Sequence, residues 1–188
     1  MLNWLNTFLT PKEPLAVSMA GVKMGDRLLM LGCGDPLLLA RLAVKTGLTG
    51  RACAVDESEE RASKAGEAAT GEGALVETIA APLTSLPLDS DTFDLAVVRD
   101  VLGTLPPERR VSCLVEIRRV LRAGGRCLVI EPSPRGGFGA LLTRGAIDPY
   151  YRANGGAPRA LEAEGFRAVR TIAERDGLMY TEGVKPGT

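Results

Sequence analysis

Short apolar runs alternate with longer segments patterned at helical spacing along most of this chain. Runs at Arg27 to Leu31, Arg51 to Val55, Leu75 to Ile79, Phe93 to Arg99 and Arg126 to Glu131 predict strands. The segment Phe93 to Arg99, FDLAVVR, is apolar almost throughout, as expected of a strand covered on both faces. Between the strands, Pro36 to Lys45, Glu59 to Ala69 and Pro106 to Leu121 predict helices. Pro36 suits a first helical position and Gly47 a helix end. Ser58 suits an N-cap, with Glu59 and Glu60 at the positive end of its helix. Gly71, Gly73 and Gly124-Gly125 punctuate the following turns. A helix at Arg159 to Glu164 and strands at Phe166 to Ala173 and Gly177 to Val184 complete the pattern, with Asp176-Gly177 as the hairpin turn. Strand–helix alternation builds a parallel sheet, and the closing hairpin adds an antiparallel strand.

Two segments stand outside that alternation. Leu2, Leu5, Phe8 and Leu9 are spaced as one helical face, closed by Pro11 and Pro14, and a second short helix follows at Leu15 to Ala20. The first of these reads either as cover for a sheet edge or as a lid over a pocket. The stretch Pro132 to Pro158 is rich in Gly, Pro and Arg and reads as an active-site loop. No linker divides the chain, so one domain is expected, with residues 1–24 as a helical cap and 25–188 as an α/β core.

Composition narrows the function classes. A chain of 188 residues with 45% hydrophobic content suits one well-buried domain. Basic and acidic residues balance at 23 each, against a generic nucleic-acid binder, and aromatics at 4% leave no stacking platform for single strands. The absence of histidine removes the commonest general base and metal ligand together. Cys33, Cys53, Cys113 and Cys127 form no CxxC pair and mostly sit in or beside apolar runs, so reduced thiols are expected, without zinc or disulfides. The first basic side chain is Lys12, unlike a secretory start, and no apolar run reaches transmembrane length. A cytoplasmic protein without metal or stable membrane insertion is the expectation.

The stretch DRLLMLGCGDP, Asp26 to Pro36, carries the chemistry. A strand ending on Gly32-Cys33-Gly34 lets backbone approach a ligand closely, because neither glycine has a side chain in the way. The next strand ends in Asp56, where a βαβ nucleotide site places the acid that holds ribose hydroxyls. Asp56 has an alternative role as a helix cap, which Ser58 can fill instead. A dinucleotide fingerprint would need glycine at position 37, which is Leu37.

The ordered series DRLLMLGCGDP, ACAVDESEERASKA, LPLDSDTFDLAVVRDVLGTLP and EIRRVLRAGGRCLVIEP resembles the class I S-adenosylmethionine-dependent methyltransferases. Its nearest subgroup is the small-molecule type similar to the ubiquinone and menaquinone C-methyltransferases, methyltransferase type 11. The resemblance implies an α/β, doubly wound, Rossmann-like sheet of seven strands in the order 3-2-1-4-5-7-6, strand seven antiparallel. It implies S-adenosylmethionine as cofactor. Gly32, Cys33 and Gly34 would pass its methionine part, Asp56 would hold the ribose, and Glu57, Pro82 and Leu83 would lie at the adenine. Arg99 and Asp100 would end strand four facing the methionine moiety and the substrate. The chain departs from the family at two positions: Pro36 replaces the third loop glycine, and Pro82 stands where relatives carry an acid that bonds the adenine amino group.

Methyl transfer needs alignment of nucleophile, methyl and sulfur, and a base only for a protonated nucleophile. Asp100, Tyr150 and Tyr151 are the catalytic candidates, with Glu131 as a further base. Arg99 and Asp100 are adjacent, so in a strand they would point to opposite faces, and a surface ion pair or cap is their alternative role. Arg135, Phe138, Arg144, Tyr150, Tyr151 and Arg152 read either as a solvated connection or as a wall for an anionic or phenolic ligand. The expected partner is a small-molecule substrate, with a homodimer as the candidate assembly. The rival reading is a non-catalytic protein of the same fold, binding a ligand or partner through a degenerate cofactor site.

Overall fold

The computed structural model describes residues 14–133 and 147–187. In chain order these form α1 (Leu15–Ala20), β1 (Arg27–Leu31), α2 (Pro36–Thr46), β2 (Arg51–Asp56), α3 (Glu59–Gly71), β3 (Glu77–Ala80) and β4 (Phe93–Arg99). A 3-10 turn (Leu102–Thr104), α4 (Pro107–Val120), β5 (Leu121–Pro132), α5 (Pro149–Ala153), α6 (Gly156–Ala163), β6 (Arg167–Arg175) and β7 (Leu178–Val184) follow. The strands form one seven-stranded sheet in the order β3-β2-β1-β4-β5-β7-β6. The first five pair in parallel, and β7 runs antiparallel to both β5 and β6.

Alternation along the central strands sends side chains into two apolar layers. Leu29, Leu31, Val55, Ala96, Val98 and Val129 pack with Leu114 and Ile117 of α4 and Leu161 of α6. Leu28, Met30, Ala54, Val97 and Ile130 pack with Val17 of α1, Leu39 and Leu42 of α2 and Ala65 of α3. The register shift between Phe93 and Leu95 breaks this alternation, so these two residues enter opposite layers although they are two apart.

Several boundaries differ from expectation. β3 starts at Glu77, leaving Leu75 exposed ahead of a short edge strand whose pairing with β2 begins at Cys53↔Glu77. α4 ends at Val120 and the chain is extended from Leu121, which pairs with Phe93. Gly124 and Gly125 form an excursion within β5, tied by reciprocal backbone bonds to Lys185. Part of the stretch expected as a loop is helical: Asp148 caps α5 through the Tyr150 N–H (2.9 Å), Pro149 opens it, and Gly155 and Gly156 at positive φ turn it into α6. Arg135, Phe138, Arg144 and the helix expected at Leu2 to Leu9 lie outside the described residues.

Arg110 ties this region to the core. Its buried guanidinium donates to the carbonyls of Leu102 (2.8 Å) and Leu105 (2.7 Å) and to Asp148 (2.9 Å), and lies 4.2 Å from the Tyr151 ring centroid. Arg110→Ala would leave both buried carbonyls without a donor, and we expect a loss of about 2–3 kcal/mol in urea denaturation. Arg110→Lys should recover little of it, because an ammonium cannot reproduce the planar fork.

Candidate cofactor cleft and active site

The carboxyl ends of β1, β2 and β4 meet at one edge of the sheet. The chain leaves β1 through Gly32 at φ +88°, whose N–H donates to the Val55 carbonyl (3.1 Å). A β-carbon there would overlap the Arg99 carbonyl oxygen and stand 2.8 Å from Val101 Cγ2. This turn brings the Cys33 N–H to Asp56 Oδ2 at 2.8 Å. At Gly34 the space beside the backbone is open. Asp35 caps α2 by accepting from the Leu38 N–H (3.1 Å), and Pro36 takes the first helical position, where the missing N–H costs nothing. The departure at Pro36 is thus absorbed into the helix start.

Asp56 is 3% exposed and fully engaged. Oδ1 accepts from the Ser58 N–H (2.8 Å) and from Arg61 Nη2 (2.7 Å), while Arg61 Nε lies 3.0 and 3.1 Å from the two oxygens. Burial by itself would raise this carboxyl, but the Arg61 guanidinium and the two backbone N–H donors outweigh it and hold the group below its ordinary value. Ser58 does cap α3, through the Arg61 N–H (3.3 Å). Contrary to expectation, that does not leave Asp56 free, because the side chain of Arg61 folds back onto it.

Glu57 pairs with Arg109 from the first turn of α4, and the same Oε1 lies 3.4 Å from the Leu83 N–H. Pro82 brings no side-chain donor or acceptor. Arg99 Nε donates to Asp100 Oδ2 (2.8 Å), with its Nη2 3.8 Å from Asp35. Arg99 and Asp100 therefore do not point apart: Asp100 leaves extended geometry at φ +54°, its N–H bonded to the Ile130 carbonyl (3.0 Å). A cleft of about 410 Å³ lies over these strand ends, lined by Gly32, Gly34, Asp56, Glu57, Leu83 and Arg99 among others. Cys33, between the two glycines, is buried. Burial and then the neighbouring Asp56 push its thiol up to about 12, the reverse of a reactive cysteine.

The catalytic candidates separate in space. Asp100 lines the cleft. Tyr150 is 69% exposed on α5 and lines no described cavity. Tyr151 is buried and donates to Glu131 Oε2 (3.0 Å); burial, then Glu131, push its phenol well above the ordinary value, so it is not available as a phenolate. Arg61 and Arg109, which reach Asp56 and Glu57 in the cleft, are not among the residues expected from sequence. Arg61 left one trace: a cation in a first helical turn opposes the helix dipole and needs another reason to be there.

The glycine and the acid generate separate predictions. Gly32→Ala places a β-carbon against backbone at positive φ, and a loss on the order of 3 kcal/mol is expected in urea denaturation. Because the folded state holds Asp56 below its ordinary 3.8, the stability it contributes is complete above that value and lost as pH falls through the lower folded-state value. Denaturation midpoints followed down to about pH 2 should show that acid limb, and Asp56→Asn should flatten it.

Comparison with known proteins agrees with this geometry. Residues 29–129 match the family model described as a methyltransferase domain. An uncharacterized protein of Mycobacterium tuberculosis is 28% identical over 143 residues, 76% of this chain and 49% of the relative. The demethylmenaquinone methyltransferase of Bacillus subtilis is 32% identical over 120 residues, 63% of this chain and 50% of the relative. The chain thus spans about half the length of the curated relatives it matches. Among solved structures, a SAM-dependent methyltransferase from Aquifex aeolicus superposes with a TM-score of 0.71 at 20% identity, covering 95% of both chains. The described sheet order, the glycine turn and the family match together place this chain in the methyltransferase-domain family, whose cofactor is S-adenosylmethionine.

Proposed function

We propose that this protein catalyses S-adenosylmethionine-dependent methyl transfer to a small-molecule acceptor. The observation that carries the reading is the placement of the Gly32–Gly34 turn and the ionised Asp56 on one cleft at the ends of β1 and β2. The cleft suits such a cofactor: it offers backbone without side chains at Gly32 and Gly34 and a carboxylate pair at Asp56 and Glu57. The cofactor supplies the methyl group, activated on a sulfonium. The relative named demethylmenaquinone methyltransferase supports a small-molecule acceptor.

The chain's own residues bind and orient. Gly34 leaves room for close backbone approach. Asp56 would accept from the ribose hydroxyls, which requires Arg61 to give up its bonds to the carboxylate; its side chain is 56% exposed. Glu57 and Leu83 would flank the adenine, with Pro82 leaving its amino group without the family's acidic partner. Arg99 and Asp100 line the β4 side, and Asp100 would accept the proton of a protonated acceptor.

Isothermal titration of the purified protein with S-adenosylmethionine and S-adenosylhomocysteine tests the reading. Binding in the micromolar range is expected, weakened at least about tenfold in Asp56→Ala, the value of one buried charged hydrogen bond. Arg61→Met should tighten binding several-fold by releasing Asp56. The absence of both heat and thermal shift at millimolar cofactor would overturn the enzyme reading and leave a ligand-binding module of the same fold.

A further inference from the structure

A second cavity, about 160 Å³, opens beyond the carboxyl end of β5, one strand away from the cleft. Arg99 pairs with Ile130 across β4 and β5, so the residues that follow them, Asp100 and Glu131, stand side by side between the two spaces. The wall is apolar over Pro132, Ile147, Pro158 and Met179, and its charged groups are Glu131 and Arg152. A cavity of roughly 150 Å³ with apolar walls holds one benzene ring. The size therefore admits a single aromatic ring.

The polar groups here are incompletely used. Glu131 is 5% exposed; its Oε2 accepts from the Tyr151 hydroxyl, while Oε1 has a long 3.4 Å contact with the Ala157 N–H. A carboxylate offers about four acceptor sites, so Oε1 retains capacity. Gly156 keeps that side of the carboxyl clear; a β-carbon there would already stand 3.4 Å from Oε1. Arg152 Nη2 is buried without a hydrogen-bond partner among the described residues. A buried guanidinium nitrogen without an acceptor is costly, so a ligand that supplies one is favoured. Burial, reinforced by the nearby Asp100, raises the Glu131 carboxyl above its ordinary value.

We propose that this cavity binds a monocyclic hydroxyaryl acid, its hydroxyl donating to Glu131 Oε1, its acidic group paired with Arg152, and its ring against Ile147 and Met179. Calling this ligand the methyl acceptor rests on the function proposed above; its binding does not.

The test is calorimetric titration of the full chain with 3- and 4-hydroxybenzoate, beside benzoate, phenol and the two-ring 6-hydroxy-2-naphthoate. At least one hydroxybenzoate should bind about tenfold more tightly than benzoate or phenol, the value of one added hydrogen bond or ion pair. The naphthoate should bind more weakly. Glu131→Gln, nearly isosteric and able to keep the Tyr151 bond, should abolish the advantage over benzoate; Arg152→Gln should abolish the advantage over phenol. No binding of either hydroxybenzoate at about 10 mM, or advantages that persist in both variants while thermal melts show them folded, would overturn the proposal. Titration with S-adenosylhomocysteine alone keeps the two readings apart. Cofactor binding without hydroxybenzoate binding removes this proposal only; hydroxybenzoate binding without cofactor binding removes the methyltransferase reading only.

Discussion

The candidate cofactor cleft depends on the close approach of two parallel strand ends at a position that has no side chain. Gly32 presses its α-carbon against the Arg99 carbonyl, with Val101 behind it. Any β-carbon would force β1 and β4 apart at their carboxyl ends. That one close approach turns the chain at positive φ, aims the Cys33 N–H at Asp56, and leaves Gly34 facing open space. The floor of the cleft, its carboxylate and its open backbone are consequences of a single steric allowance.

Electrostatics then decides how the cleft presents itself. Asp56 is ionised because Arg61, Ser58 and Cys33 compensate the penalty of burial. The same compensation engages both carboxylate oxygens. Glu57 is held in parallel fashion by Arg109 and lies close to the Leu83 N–H. Both acids are thus held in place by arginines that a ligand must displace or accommodate. Because Asp56 is buried, a ligand that displaces the half-exposed Arg61 must itself donate to the carboxylate.

Beyond β5 the arrangement is less saturated. Arg110 fixes the 3-10 turn and Asp148, and through its contact with Tyr151 it steadies the side chain that bonds Glu131. Cleft and smaller cavity share the β4–β5 edge as a common wall, with Asp100 on one side and Glu131 on the other. A methyl donor and a one-ring acceptor placed there would meet across two adjacent strand ends.

Strand and helix positions, the parallel sheet and the glycine–acid pair were legible in the sequence because they rest on local signals: apolar period, proline and glycine punctuation, and caps. The strand order came from the family resemblance, and the structure shows the same order. Residue chemistry also marked Pro36 as compatible with a helix start. The partners of those residues were not legible. Asp56 reads as a free ribose acid until Arg61 folds back on it; Arg99 and Asp100 read as pointing apart until Asp100 leaves extended geometry. Tyr150 and Tyr151, adjacent in sequence, differ completely, one exposed and one buried against Glu131 and Arg110. The chain by itself determined which elements form, because hydrophobic period and turn chemistry act within a few residues. Which charges meet was decided only by tertiary structure, because Glu57 and Arg109 become neighbours through packing that no local pattern encodes.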